Sequence, residues 1–247
     1  VYERLNTQGV STVVVNHEQF EGTSLSRINH RGARYEGFLT VSDLAVNLRA
    51  AILSTPRPAY IHSYWGMLDT VAHAYGTDSA QHSAEIRVID HALGQILLPG
   101  LEVSSTLILI LADHGHINAQ HDRQLWFNDY PELLAMLQAP PAGLDRAAIL
   151  YVLPECEAEA RHFAERELAG VADVLTAEES VASGLYGPEP LSPRARQRLG
   201  QLLLLPRENW VMRYQYPGKE RRIWSVGKHG GLSEQEMLVP MLALRLG

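Results

Sequence analysis

The sequence predicts an α/β protein, a sheet layered with helices on both faces. Three observations predict it. Short apolar runs bounded by Gly, Pro or polar residues alternate with longer stretches that carry a helical apolar stripe. Helix-start signals recur between those runs, as capping boxes or as a Pro at the first helical position. The most apolar run, Leu107-Ile108-Leu109-Ile110-Leu111, is continuous rather than alternating, which is the pattern of a strand covered on both faces.

Along the chain, Val1–Gly9 reads as a helix tail and Val10–Asn16 as the first strand. Glu18–Gly37 is polar, holds Arg27, His30, Arg31 and Arg34, and reads as a loop, either solvated or beside a site. Thr40 with Asp43 forms a capping box that opens a helix to about Ile52. Pro56 and Pro58 break that helix, and a strand over Ala59–Trp65 follows. Asp78 with Gln81 resembles another helix start, and Ile86, Ile89, Leu93, Ile96 and Leu97 form a stripe to about Leu98. The buried strand then runs to Ala112.

From His116 to Leu144 the pattern loosens, and Trp126, Phe127, Tyr130, Leu133, Leu134 and Leu137 suggest a short aromatic-packed helix ended by Pro140-Pro141. Ala148–Leu153 is strand-like, Glu155–Leu168 helical and Val171–Leu175 strand-like. Thr176 with Glu179 caps a short helix stopped near Gly184, and Ser192-Pro193 opens another. Trp210–Tyr216 alternates as an exposed strand does. There is no internal repeat or clear linker. Gly184–Pro193 is the best hinge candidate, and the expectation is one domain over residues 1–247.

Composition narrows the function classes. The chain has 247 residues, enough for one substantial core, with 46% hydrophobic and 20% charged residues, as in a soluble globular protein. The net charge of −7 argues against binding a nucleic-acid polymer through a basic surface, so a phosphate-bearing ligand has to be attracted locally. No apolar run reaches transmembrane length. Cys156 is the single cysteine, cannot form an internal disulfide, and reads as an inert thiol. A cytoplasmic protein is the mild expectation, and oligomeric state is not legible.

Three motifs carry chemistry. The apolar run ends in Asp113-His114-Gly115, a carboxylate and an imidazole at the carboxyl end of a strand, where sites collect in open α/β sheets. Such a pair suits a divalent metal, although Asp113 as a turn cap and His114 as a surface histidine is an equal reading of the motif alone. The second motif places Asp69 and His73 four residues apart, on one face if the segment is helical. The third is Lys228-His229-Gly230-Gly231, where glycines let the backbone turn tightly beside an ion or anion.

In that order the motifs resemble the alkaline phosphatase superfamily, and most nearly its type I phosphodiesterase/nucleotide pyrophosphatase branch, from about Gly9 to the C-terminus. The resemblance implies an alkaline-phosphatase-like α/β sheet, incomplete at the N-terminus. It implies two divalent metal ions, zinc with manganese as the alternative, clamping a phosphoryl centre. Asp69, His73 and His229 would hold one ion. Asp113 and His114 would hold the other, with an early Asp that this sequence lacks. A Thr or Ser nucleophile would lie upstream of Val1, so the 247 residues alone should be nearly inactive. Thr23, Ser24 and Thr70 read as turn or cap residues.

The implied reaction is hydrolysis of a small-molecule phosphodiester or nucleotide. Phosphomonoesterase, phosphonate hydrolase or phosphomutase activity stands as the alternative within the superfamily. A non-catalytic binding or scaffolding module is the alternative of another class. Among the other histidines, His116 is either an orienting neighbour of a ligand or a loop residue, and His62 is packed or at a rim. His17 and Asn16 point to the catalytic edge or end a strand. Lys228 contacts a substrate phosphate or none. Tyr64, Trp65 and Tyr75 stack a base or pack the core.

Overall fold

The computed structural model of the chain describes residues 1–101, 105–188, 190–218 and 225–247. Contacts divide it into two units, Val1–Val71 with Asp78–Leu111 and Pro240–Gly247, and Ala72–Thr77 with Ala112–Val239.

In the first unit, the strand Ser11–His17 lies between Arg34–Phe38 and Ala59–Ser63 in a parallel sheet. Its β-branched Val13, Val14 and Val15 are fully buried, as expected of a central strand covered on both faces. The helix Val41–Ser54 opens with the predicted Thr40/Asp43 capping box. It packs Leu44, Leu48 and Ala51 with Val13, Val15, Phe38, Ile61 and Trp65. Ala45 and Ile52 face a second cluster with Ala92, Leu97 and Leu101. The predicted stripe after Asp78 forms a helix, Ala80–His91, that continues as a π-helical turn over Ala92–Leu97. Only its C-terminal part is buried, and Ile86 is exposed.

Two expectations are corrected here. The stretch Glu18–Gly37 is not a plain loop: it holds the helix Ser24–Asn29 and most of the strand Arg34–Phe38. That strand is polar because it borders the sheet. The apolar run is not a strand covered on both faces. Thr106–Leu111 pairs antiparallel with Met241–Leu246 in a two-stranded sheet. The register sets Leu107, Leu109 and Leu111 beside Arg245, Ala243 and Met241 on one face. On that face Leu107, Leu109, Leu111 and Met241 are 62%, 51%, 59% and 72% exposed. From the other face, Ile108 and Leu246 pack against the helical cluster. A continuous apolar run reports a strand's hydrophobicity, but its neighbours come from remote sequence.

The second unit is built on a four-stranded antiparallel sheet, in the order Ala142–Leu144, Ala147–Leu150, Leu202–Pro206, Ala172–Thr176. The helix Glu157–Glu167 offers Ala160 and Ala164, one turn apart, to a core with Leu133, Leu150, Val152, Leu168 and Leu204. Thr176 with Glu179 caps its helix as predicted, and Ser192 caps Pro193–Arg196. The exposed strand expected over Trp210–Tyr216 is shorter, Val211–Arg213, and Val211 and Met212 are buried, because it pairs in parallel with Gln124–Trp126. Glu189, within the candidate hinge, lies outside the described residues. A two-residue antiparallel ladder joins Ile117–Asn118 to Gly227–Lys228. That ladder matters most for the site, because it brings the residues just before 117 beside those just after 228. Among the described residues, no helix is long and apolar enough to cross a membrane.

Candidate metal centre

Asp69 and His73 lie on the helix Met67–Tyr75, one turn apart, so their side chains share a face. His73 Nδ1 is 2.7 Å from the carbonyl oxygen of Gly227. A carbonyl only accepts, so Nδ1 carries the proton and Nε2 keeps its lone pair for a ligand. Gly227 is required for this approach: a Cβ there would fall 2.3 Å from the Ala72 carbonyl oxygen. The helix also receives the Val226 N–H at the His73 carbonyl, at 2.8 Å. Helix and late strand are thus held together one residue at a time around His73.

The ladder then delivers two more imidazoles. The ring centroids of His73 and His229 are 5.2 Å apart, those of His73 and His116 5.4 Å, and those of His116 and His229 5.1 Å. One ligand atom from each of Asp69, His73, His116 and His229 lies within 4.8 Å of the others. All four are partly buried. Three imidazole nitrogens and one carboxylate oxygen form a donor set suited to zinc and other borderline divalent ions.

The structure thus brings together Asp69, His73 and His229, although the first and last are separated by most of the sequence. It adds His116 to them. Position alone left His116 open between two roles; the antiparallel pairing of Ile117 with Lys228 decides its place. Asp113 and His114 are not members of the four-donor set. The His114 ring stacks on His229, with centroids 3.6 Å apart and planes 6° from parallel. Its Nε2 is 3.7 Å from Asp113 Oδ2, and the Asp113 side chain is mostly exposed.

The remaining candidates lie outside the four-donor set. Lys228 Nζ is 2.6 Å from Asp145 Oδ2 and nearly buried, so it is held in an ion pair. His17 Nδ1 accepts from the Gln19 N–H, a local cap. Trp65 packs in the core and donates Nε1–H to Glu85 at 2.8 Å. Tyr64 and Tyr75 are exposed. Thr23 caps the helix Ser24–Asn29, and Thr70 donates back to the Gly66 carbonyl. His62 lies in the strand Ala59–Ser63, and both it and His30 keep a buried Nδ1 with no hydrogen-bond partner. Burial lowers the pKa of both imidazoles, and the His30 charge adds to the effect on His62.

Against this geometry, the model of the type I phosphodiesterase / nucleotide pyrophosphatase family matches residues 12–232. The chain belongs to that family. Among solved structures, this phosphodiesterase-family chain is similar to murine ectonucleotide pyrophosphatase / phosphodiesterase 5 in an inactive form with AMP. Identity is 15%, with 98% of this chain and 62% of that one covered at a TM-score of 0.67. The human counterpart is 14% identical at a TM-score of 0.69, with the same coverage. Phosphonoacetate hydrolase from Sinorhizobium meliloti 1021, with phosphonoacetate bound, is 17% identical at a TM-score of 0.64 over 100% of this chain and 68% of that one. At these identities the likeness establishes the alkaline-phosphatase-like α/β fold. The chain spans about 62% of the length of the ectonucleotide enzymes it resembles. A comparison with curated proteins finds no match.

Proposed function

We propose that this chain is the metal-binding portion of a phosphoric ester hydrolase that cleaves small phosphodiesters or nucleotide pyrophosphates at a two-metal centre. The observation that carries the reading is the convergence of Asp69, His73, His116 and His229 on one point from distant parts of the sequence. Family membership supplies the reaction class.

In this reading Asp69, His73 and His229 hold the first divalent ion, with His116 at the same point. Asp113 and His114 hold part of a second, beside the stacked His229 ring. Zinc is the ion the donors favour, with manganese the alternative. Bound there, such ions supply Lewis-acid neutralisation of phosphoryl oxygens and a lowered pKa at the attacking hydroxyl. The chain's own residues orient that chemistry. The Gly227 carbonyl fixes the His73 tautomer, and the Asp69 carboxylate brings negative charge to an otherwise imidazole-lined point. Thr23 and Thr70 serve their helices, and neither is proposed as the nucleophilic hydroxyl.

The test is zinc binding by the 247-residue chain, measured by chelator competition, alongside His73→Ala and His229→Ala. The expected result is binding by the parent chain that either variant weakens by at least tenfold. A parent chain that takes up no zinc overturns the reading in favour of a non-catalytic module. For the complete site, turnover of bis-p-nitrophenyl phosphate set against phosphonoacetate separates diesterase from phosphonate-hydrolase activity.

A further inference from the structure

Among the described residues, Arg146 and Glu236 are the buried pair of opposite charge, each with a side chain only 1% exposed. Their contact is a two-point fork: Arg146 Nε donates to Glu236 Oε1 at 3.0 Å and Nη2 to Oε2 at 2.8 Å. Arg146 also donates Nη1–H to the Trp210 carbonyl at 2.5 Å. Desolvating two charges is costly, and a pair of similar-sized apolar residues would often serve stability as well or better. What sets this pair apart is its place beside both histidine loops.

The Glu236 carboxylate has further partners. Oε1 accepts from the Gly231 N–H at 2.9 Å, and Oε2 accepts from the Ser233 hydroxyl at 2.6 Å. Burial alone would raise the Glu236 pKa, but the bonds from Arg146, Ser233 and Gly231 outweigh it and hold the carboxyl below its ordinary value. Gly231 follows His229 by two residues, and its backbone lies directly on the ion pair. A Cβ there would sit 2.8 Å from Glu236 Oε2 and 3.2 Å from Arg146 Nε. The other side of His229 is fixed by the neighbouring acid, Asp145, through Lys228 at 2.6 Å. The turn Asp145-Arg146 therefore anchors the chain immediately before His229 and just after it.

Glu236 reaches the second motif as well. Its carbonyl accepts from the Gly115 N–H at 2.8 Å, and a Gly115 Cβ would fall 2.0 Å from the Gln235 carbonyl oxygen. The residues on either side of Gly115 are His114 and His116. One glutamate thus touches the Asp113-His114-Gly115-His116 loop with its backbone and the His229-Gly230-Gly231 loop with its side chain.

We propose that Glu236, locked by Arg146, is a positioning residue that sets His229 against His114 and His116 in the metal centre. The proposal rests on the reading of that centre given above. It predicts that neutralising the pair loosens metal binding even where folding stability is kept. Ligands must sit within about 0.2 Å of their places, and loss of an outer partner typically weakens metal binding by about 10–100-fold.

The test compares the parent chain with Glu236→Gln, Glu236→Met and the double variant Arg146→Met/Glu236→Met. Three readouts are taken: melting temperature, zinc affinity by chelator competition, and hydrogen exchange of the Gly231 amide. Glu236→Met strands a buried guanidinium and is the variant expected to melt earliest. The double variant leaves no unpaired charge and should recover most of the melting temperature. It should still bind zinc about 10–100-fold more weakly and exchange the Gly231 amide faster. Glu236→Gln keeps an acceptor for that amide and should bind zinc more tightly than the double variant. A double variant that matches the parent in melting temperature and zinc affinity overturns the proposal and leaves the pair a structural one. A parent chain that binds no zinc overturns the reading of the centre itself, and the positioning role falls with it.

Discussion

Gly227→Ala is a one-methyl perturbation with a large expected effect. The added Cβ would lie 2.3 Å from the Ala72 carbonyl oxygen, 2.6 Å from its carbon and 3.0 Å from the His73 nitrogen. All three are backbone atoms of one helix, so no side chain can rotate away. A carbon–oxygen contact needs roughly 3.2 Å or more, so strand and helix must part by about 1 Å at this point, an overpacking strain of about 1–3 kcal/mol. The same movement stretches the bond between His73 Nδ1 and the Gly227 carbonyl from 2.7 Å, out of hydrogen-bond range. It also carries His229, two residues on, away from His73. Zinc–nitrogen bonds of about 2.0–2.1 Å tolerate only about 0.2 Å of error, so both ligands lose their geometry together. The expected result is zinc affinity lowered by about 10–100-fold, the range for lost outer partners, with a lower melting temperature. Chelator competition and a thermal melt measure the two effects. The comparison is Gly94→Ala, where a Cβ meets nothing within 4 Å. Equal zinc affinity for Gly227→Ala and the parent chain would refute the claim that the strand holds His73 and His229 in register.

Other outcomes follow from the same structure. Arg146→Met alone leaves Glu236 charged and buried, and should cost about 3–5 kcal/mol of stability in urea unfolding. His30 and His62 hold pKa values lowered from 6.5, so between those values and 6.5 the unfolded chain binds more protons than the folded one. Their contribution to stability is therefore complete above pH 6.5 and is lost as pH falls through that value toward the folded pKa values. His62→Phe should flatten the fall in melting temperature between about pH 7 and 5, and an unchanged slope would refute the burial argument. The exposed face of Leu107, Leu109, Leu111 and Met241 should bind a hydrophobic dye such as ANS, and Leu109→Lys should reduce that signal without lowering the melting temperature.

Local signals were legible in the sequence wherever the physics is local. Thr40/Asp43 and Thr176/Glu179 close capping boxes as expected, because a cap involves residues three apart and a fixed backbone geometry. The Asp69/His73 spacing was legible for the same reason: a helix puts i and i+4 on one face whatever it packs against. The long-range part was less open to reading. Leu107–Leu111 carries the composition of a buried strand, yet its pairing partner is Met241–Leu246, and nothing within five residues of Leu109 specifies that. Leu202–Pro206 runs through the middle of the second unit's sheet, yet its five residues carry no alternation or flanking cap to mark a strand.

The candidate site divides along the same line. Asp69, His73, Asp113, His114 and His229 could be named from motifs, but His116 could not be assigned, because a lone loop histidine has no periodicity to read. What places it is the pairing of Ile117 with Lys228, a contact across more than a hundred residues. Glu236 carries no mark in the sequence for a related reason. In sequence it is one acid among 28, in a short polar helix after the glycine motif. Only burial distinguishes it, and burial of a carboxylate demands a partner, here Arg146, ninety residues away. A signal did exist in the sequence, since Gly115 and Gly231 each follow a candidate histidine. A glycine can mark a place where another backbone or charged group comes too close for a side chain. At both positions the nearest group belongs to Gln235 or Glu236, so the glycines mark where something must come close and only the folded chain supplies which segment it is.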